Sequence, residues 1–193
     1  MDSILLNKRR IERGVAEQCF RGDDPPGLRS PKEPSMIFSS PDFDGHEQVV
    51  AFCDAAAGLK GFIAIHSTAL GPAFGGCRMW AYEDEAAAVA DALRLSRGMS
   101  YKNAIAGLAY GGGKAVIMGD PHAAERRGLF RAFGRAVDRL AGRYITAEDV
   151  GVGVEDMRAA AEETEWVAGI PRECGYRGGD PSPVTARGVM AGL

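Results

Sequence analysis

The chain has 193 residues, a formal net charge of −3, 46% hydrophobic residues and 25% charged residues. This composition allows a packed core of one large or two small domains and argues against global disorder. The acidic balance, with no long basic run, argues against nucleic acid as a partner, and no apolar run approaches the ~20 residues that span a membrane.

The first 34 residues differ from the rest of the chain. Residues 22–34 (GDDPPGLRSPKEP) are rich in proline, glycine and charge, which is typical of a linker. We therefore predict a poorly ordered extension over residues 1–35 and place the start of the folded domain at about Met36.

Four cysteines are spread along the chain, at Cys19, Cys53, Cys77 and Cys174. They form no CxxC pair, and no secretory signal accompanies them. This spacing is typical of reduced thiols rather than of a disulfide framework or a zinc site. We therefore predict a cytoplasmic location and no metal site.

Three strands are predicted in the first half of the chain. Residues 48–53 and 59–68 are apolar or alternating runs, and the turn between them indicates a hairpin. Residues 73–80 form a third strand that contains Gly75 and Gly76. Glycines inside a strand indicate a bulge or a close approach of backbone, and their amides are candidates for binding a small anion.

A helix is predicted over residues 83–98. Acidic residues open it, alanines fill it, and Arg94 and Arg97 near its end match the helix dipole. Residues 101–108 are predicted to add one or two further helical turns before the glycines that follow.

The stretch at residues 98–120 (GMSYKNAIAGLAYGGGKAVIMGD) places Lys102 and Lys114 on either side of three glycines. Glycines ahead of a strand let backbone approach a ligand without interference from Cβ. Two interpretations stay open on these residues alone: a desolvated lysine that acts as a base near neutral pH, or a glycine loop with two solvated lysines. A P-loop is excluded, because Leu108 and Ala115 stand where it needs glycine and Ser or Thr.

Two helices and two short strands are predicted beyond this stretch. Asp120 and the proline after it indicate the N-terminus of a helix that ends at Gly142. A strand at 144–146, a helix at 154–163 and a strand at 166–170 complete this region.

A carboxylate pair, Glu148 and Asp149, follows the strand at 144–146. Such positions at strand ends favour function in open α/β sheets, and a solvated turn fits the residues equally well. Residues 178–193 are predicted to be a turn and the start of a helix. No GxGxxG fingerprint follows any strand.

Five stretches together resemble the amino-acid dehydrogenases that act on leucine, phenylalanine and valine. They run in the family's order and cover nearly everything from about residue 43 onward. They are LGPAFGGCRMW (70–80), ALRLSRGMSYKNAIAGLAYGGGKAVIMGDP (92–121), FRAFGRAVDRLAGRYITAEDVG (130–151), VEDM (154–157) and DPSPVTARGV (180–189).

The resemblance implies an α/β fold with a mixed open sheet flanked by helices. Residues 36–180 would be the substrate-binding and oligomerisation domain of the family. Residues 181–193 would begin the helix that links this domain to a Rossmann domain, which is missing from this sequence.

The resemblance also implies roles for individual residues. Lys114 would be the general base that activates water, with a pKa lowered by Lys102 and by burial, and Asp149 would exchange protons with the substrate amino group. Lys102 would bind the substrate carboxylate, assisted by amides near Gly75 and Gly76.

Four further positions match the family's site. Phe74, Met99 and Ala147 match residues that line the side-chain pocket or the active site, and Thr185 matches a residue near the nicotinamide. Phe74 replaces the leucine typical of leucine enzymes, so the choice among leucine, valine and phenylalanine stays open.

The predicted function is therefore the substrate-binding half of an NAD-dependent amino-acid dehydrogenase, which assembles as a homo-oligomer. It would deaminate a branched-chain or aromatic L-amino acid oxidatively to a 2-oxo acid and ammonia. NAD would be held mainly by the missing domain, and the chain alone is predicted to be inactive. The alternative is a non-enzymatic module that binds amino acids or assembles with full-length subunits.

Overall fold

The fold is described from a computed structural model, which covers residues 37–171, 179 and 181–192. The predicted extension at 1–35 lies outside these described residues. After a short 3-10 turn at Ile37–Ser39, the elements are β1 (Gln48–Asp54), β2 (Leu59–Ser67), β3 (Ala73–Trp80), α1 (Glu85–Ile105), β4 (Gly111–Met118), α2 (Arg127–Asp138), β5 (Tyr144–Glu148), α3 (Val154–Ala161) and α4 (Ser182–Ala191). Within the described ranges, no helix is both long and apolar enough to cross a membrane.

The described strands form one mixed sheet in the order β1-β2-β4-β3-β5. The pairs β1/β2 and β2/β4 are antiparallel, whereas β3 is parallel to both β4 and β5. The predicted hairpin and the predicted mixed open sheet are both confirmed. Since β3 lies between β4 and β5, any contact between side chains of those two strands has to cross β3.

The two faces of the sheet pack against different helices. On one face, α1 packs through Ala88, Ala92 and Leu93 against a cluster that includes Val116 of β4. On the other face, α2 and α3 pack against a larger cluster that includes Ile117 of β4. Because successive side chains of a strand alternate between the faces, Lys114 shares the α1 face with Val116.

The three glycines lie inside β4, not in a loop ahead of a strand as predicted. A Cβ added to any of them would overlap the protein's own atoms: the Ser67 carbonyl at Gly111, Ser100 at Gly112, and the Tyr144 ring at Gly113. The space left open by the missing side chains is therefore filled by neighbouring strands and by α1. The glycines serve close packing rather than the approach of a ligand.

Gly112→Ala is expected to lower the free energy of unfolding by about 2–3 kcal/mol, at the upper end of the range for overpacking. The new Cβ would overlap Ser100 and the Ser96 carbonyl, so α1 would have to move away from β4. Urea unfolding of the chain, followed by circular dichroism, measures the change.

Gly98→Ala provides the control, on α1, the helix that packs against Gly112. Nothing lies within 4 Å of a Cβ at Gly98. Alanine is therefore expected to stabilise the helix by up to about 1 kcal/mol. Equal losses in both variants would contradict the packing account of Gly112.

Helix α1 runs without a break through Gly98 to Ile105, so the helix predicted at 83–98 and the helical turns predicted from residue 101 onward are one element. Asp84 caps its start by accepting a hydrogen bond of 2.7 Å from the Ala87 amide. Near its end, Asn103 Nδ2 donates a 2.6 Å hydrogen bond to the carbonyl of Gly111 on β4. Contacts of this kind outweigh the ~1 kcal/mol cost of one glycine within a helix.

Helix α2 begins at Arg127 and not at the predicted cap, Asp120. Oδ1 of Asp120 accepts a 2.9 Å hydrogen bond from the His122 amide, and the Asp120 carbonyl accepts one of 3.2 Å from Ala123. Asp120 and the proline after it therefore close a turn, which the same residue types also favour.

The region around β5 differs from the prediction in two ways. The strand extends to Glu148, so that Asp149 directly follows its end. Residues 166–170 contribute one isolated parallel bridge, between Val167 and Thr146, and not the strand predicted there. The predicted helix at 154–163 is confirmed as α3, which ends two residues earlier.

Candidate active site

Lys114 and Asp149 form a hydrogen-bonded ion pair at the centre of the candidate site. The Lys114 Nζ donates to Asp149 Oδ2 over 2.7 Å. The lysine side chain is only 6% exposed, whereas that of Asp149 is 26% exposed. The arrangement therefore joins a buried amine to a carboxylate that solvent or a small molecule can still reach.

Gly76 allows the two side chains to meet. It lies on β3, the strand that separates β4 from β5, and it pairs with Ala147 on β5. A Cβ at Gly76 would stand only 2.8 Å from the Cβ of Asp149. The missing side chain therefore leaves the path across β3 open for the Lys114–Asp149 contact.

Arg78 is a third member of the site that the sequence interpretation did not single out. Its Nε donates to Asp149 Oδ2 over 3.0 Å, so one carboxylate oxygen accepts from two cations. Arg78 follows Gly76 by two positions on β3, which places both residues on the same face. That alternation is the sequence signal that could have identified Arg78.

Burial lowers the pKa of Lys114 below its ordinary value of 10.5, and the effect outweighs the opposing influence of Asp149. The charge of Arg78 lowers the pKa of Lys114 further. The resemblance implies that Lys102 makes this second contribution, but the cation that the structure places beside the pair is Arg78. A buried amine of this kind can accept a proton at a pH where an exposed lysine stays charged.

The pKa of Asp149 is shifted by opposing influences. Burial by itself would raise it, but the charges and hydrogen bonds of Lys114 and Arg78 outweigh burial and hold the pKa below its ordinary value. Asp149 is therefore an anion across the neutral range. Both of its ion-pair contacts involve Oδ2, and neither occupies Oδ1.

The predicted substrate residues Gly75 and Met99 lie close together. The Cγ of Met99 lies 3.2 Å from the position that a Cβ of Gly75 would take, and that Cβ would also overlap the carbonyl of Gly113. The Gly75 carbonyl accepts a 2.7 Å hydrogen bond from the Tyr144 hydroxyl. The close approach of backbone that the sequence predicted at Gly75 and Gly76 is confirmed.

Phe74 on β3 and Ala147 on β5 are the predicted pocket residues that lie within the sheet. The ring of Phe74 lies against that of Tyr110, with centroids 5.2 Å apart. Phe74 and Ile145 are register partners, as are Gly76 and Ala147, so the side chains of β3 and β5 at these positions share one face. It is the face that carries Lys114.

Lys102 and Thr185 are the predicted site residues that the structure does not join to the pair. Lys102 is exposed on α1, three residues after Met99, a spacing that places both on one side of a helix. Among the described residues, the Lys102 ammonium makes no ion pair. Thr185 is exposed on α4, and its role near a cofactor stays a prediction.

The Glu/Leu/Phe/Val dehydrogenase dimerisation domain matches residues 46–166, which is more than half of the chain. Leucine dehydrogenase of Bacillus subtilis is 59% identical over 148 residues, which cover 77% of this chain and 40% of that protein. Valine dehydrogenase of Streptomyces virginiae is 58% identical over 152 residues, which cover 79% of this chain and 42% of that protein.

Solved structures give the same result. The crystal structure of L-tryptophan dehydrogenase from Nostoc punctiforme aligns with a TM-score of 0.63 and 45% identity, covering 76% of this chain and 40% of that one. The chain thus spans about 40% of the length of the relatives that it matches.

Proposed function

The chain belongs to the Glu/Leu/Phe/Val dehydrogenase family, and from this premise we propose that it is the substrate-binding part of an amino-acid dehydrogenase. The observation that carries the proposal is the buried Lys114–Asp149 pair. Its members are the two residues to which the sequence resemblance assigned the proton transfers. The predicted alternative is a non-enzymatic module. Such a module would not need a buried ion pair beside the glycines and alanine of β3 and β5.

The proposed reaction is the oxidative deamination of a branched-chain or aromatic L-amino acid. The Cα–H bond breaks with loss of a hydride, the amino nitrogen loses a proton, and a C=N bond forms. Water then adds to that carbon, and release of ammonia leaves the 2-oxo acid. The reaction therefore needs a base for the water, a carboxylate for the amine and a hydride acceptor.

Three side chains of this chain would carry out the proton transfers and balance the charges of the substrate. Lys114, once neutral, takes the proton from the attacking water, because burial makes it a base near the working pH. Asp149 accepts a proton from the amino group and stabilises the positive charge that develops at the nitrogen. Lys102 holds the substrate carboxylate as a point charge at the exposed end of the site.

The hydride acceptor is proposed to be NAD, and the glycine run of β4 does not fit a dinucleotide site. The glycines of β4 contact Ser67, Ser100 and Tyr144, so they leave no cradle for a pyrophosphate. We propose that NAD is bound mainly outside the described residues, with Thr185 near the nicotinamide, and that the 193-residue chain alone does not turn over.

The substrate side chain would lie against the surface formed by Phe74, Met99 and Ala147, with the backbone at Gly75 and Gly76 close to the reacting carbon. Leucine and valine are the first candidates, because leucine and valine dehydrogenases are 59% and 58% identical to the chain. The match to a dimerisation domain supports a homo-oligomer. The predicted cytoplasmic location is kept as part of the proposal.

A fusion protein tests this function. The chain is joined to the portion of Bacillus subtilis leucine dehydrogenase that its match leaves uncovered, and NADH formation is measured with leucine, valine and phenylalanine. Turnover by the fusion protein with at least one of them, and none by the chain alone, supports the proposal. A folded fusion protein that oxidises no amino acid would overturn it.

Lys102→Ala in the fusion protein is expected to raise KM for the amino acid about ten- to a hundredfold and to change kcat much less. The lost interaction is one charge-assisted contact to the carboxylate, of about 1.5–3 kcal/mol, which substrate and transition state make alike. Steady-state kinetics with the best substrate measures both constants. An unchanged KM would show that Lys102 does not bind the carboxylate.

A further inference from the structure

Arg78 connects the ion pair at the centre of the site to a second carboxylate on α1. Its Nε donates to Asp149 over 3.0 Å and one Nη donates to Asp91 over 2.9 Å. Asp91 in turn accepts from the Tyr82 hydroxyl over 2.8 Å and from Arg94 over 2.6 Å. The Arg78 guanidinium therefore bridges the end of β5 and α1, because it donates a hydrogen bond to a carboxylate on each side.

We propose that Arg78 is a positioning residue that keeps Asp149 paired and in place whichever protonation state Lys114 is in. Only the catalytic consequence of this positioning role rests on the proposed function. The geometry on which it stands belongs to the described chain itself. Nothing in the sequence resemblance assigned a role to Arg78.

The charges of the network show why a second cation is needed. With Lys114 protonated, three cations (Lys114, Arg78 and Arg94) face two carboxylates, Asp149 and Asp91. When Lys114 gives up its proton to serve as a base, it no longer neutralises Asp149. Arg78 cannot be deprotonated at that pH, so it still balances the partly buried carboxylate.

The contact of Arg78 with Asp91 on α1 fixes the position of the guanidinium charge. Asp91 is only 14% exposed and has three donors, so the guanidinium is anchored on a carboxylate that is itself immobilised. A planar guanidinium can donate in two directions at once, whereas a lysine ammonium on a flexible stem acts as a point charge. Arg78→Lys should therefore keep the charge and weaken the positioning.

Several titratable or charged groups lie on the elements around Lys114. They are Arg78 and Cys77 on β3, Asp149 after β5, His66 on β2, and Asp91 and Lys102 on α1. Burial raises the pKa of the Cys77 thiol, so it stays neutral, and His66 is hydrogen-bonded to Ser100 over 2.8 Å. Arg78 and Asp149 are therefore the charges that set the titration of Lys114.

The test measures the Lys114 titration directly on the chain, without turnover. Lysines carrying ¹³C and ¹⁵N are titrated by NMR, and Lys114→Arg assigns the signal. Arg78→Gln is expected to raise the Lys114 pKa by about one unit, because a nearby positive charge is lost while Asp149 stays. Arg78→Lys is expected to restore the wild-type titration, and in the fusion protein to leave kcat below wild type.

Arg94→Gln is the matched control. Arg94 also pairs with Asp91, but it is 58% exposed and does not contact Asp149. The variant removes one arginine from the network and is expected to leave the Lys114 pKa unchanged. An equal shift in Arg78→Gln and Arg94→Gln would overturn the inference, as would an unchanged titration in Arg78→Gln.

A wild-type measurement keeps the inference testable should Arg78→Gln not fold. The Nε–H signal of Arg78 is expected to remain protected from exchange with water as the pH passes through the Lys114 titration. Its loss at that point would show that Arg78 does not hold Asp149. If Arg78→Gln shifts the titration while the fusion protein oxidises no amino acid, the positioning role is supported and the proposed function is overturned.

Discussion

Lys114→Ala is expected to lower kcat of the fusion protein by about two to four orders of magnitude, the usual contribution of a general base. In the described site, Lys114 is the buried amine beside the surface proposed for the substrate. Water that enters in place of the lost side chain has no comparable base to take its proton. Steady-state kinetics at saturating substrate measures the change.

Lys60→Ala is the control for this variant. Lys60 lies on β2 and pairs with Glu85, and both side chains are more than half exposed. Its loss is expected to leave kcat unchanged, since exposed ion pairs contribute little. A loss of kcat below tenfold in Lys114→Ala, with the fold intact by circular dichroism, would contradict the assignment of Lys114 as the base.

Lys114→Ala also has a consequence for stability, and this consequence does not depend on turnover. The folded-state pKa of Lys114 lies below its unfolded value of 10.5, so the unfolded chain binds more protons between these two values. The free energy of unfolding gains a contribution that rises with pH across that window. Compared with the wild-type chain, Lys114→Ala is expected to lack this rise in urea unfolding between neutral and alkaline pH.

The regular elements of the fold could be predicted because their patterns are local. Alternation over residues 48–53 and 59–68 is enough to specify a hairpin, and the helix at 154–163 follows from its composition and acidic first turn. The glycine run could not be placed in this way. Position 112 of β4 needs glycine because Ser100 of α1 occupies the space beside it, and such space is set by tertiary packing.

The same reasoning explains why the helix is unbroken at Gly98 and why no helix begins at Asp120. Gly98 looks like a terminus by propensity, but the contacts of α1 with β4 carry the helix past it. Asp120 followed by proline fits a helix cap and a turn equally well, and the structure uses the turn. Local preferences of about 1 kcal/mol are smaller than the packing terms that decide such cases.

The candidate site was only partly predictable. The residues alone marked Lys114 and Asp149 as candidates with alternatives left open, the resemblance implied their roles, and the structure brings them together. Arg78 stands in a resembling stretch as well, but its partners Asp149 and Asp91 are 71 and 13 residues away in sequence. A contact between distant charges depends on strand order, which no local pattern specifies.

Asp149→Asn is expected to lower kcat of the fusion protein by about two to three orders of magnitude, the usual effect of removing one group that stabilises developing charge. The neutral amide cannot accept the amino proton, and it does not balance a cationic nitrogen. The side chains of Asp149 and asparagine have nearly the same size, so the fold is expected to persist. Asp54→Asn, on the edge strand β1, is the control and should keep wild-type kcat.

The sharper test of Asp149 is the direction in which its loss moves the Lys114 titration. Asp149 raises the pKa of Lys114 against the effect of burial, so Asp149→Asn is expected to lower that pKa further and leave Lys114 beside Arg78 alone. Arg78→Gln is expected to move the same titration upward. Shifts in the same direction in both variants would show that the two residues do not act on Lys114 as opposite charges, and the shared electrostatic account of the site would then be wrong.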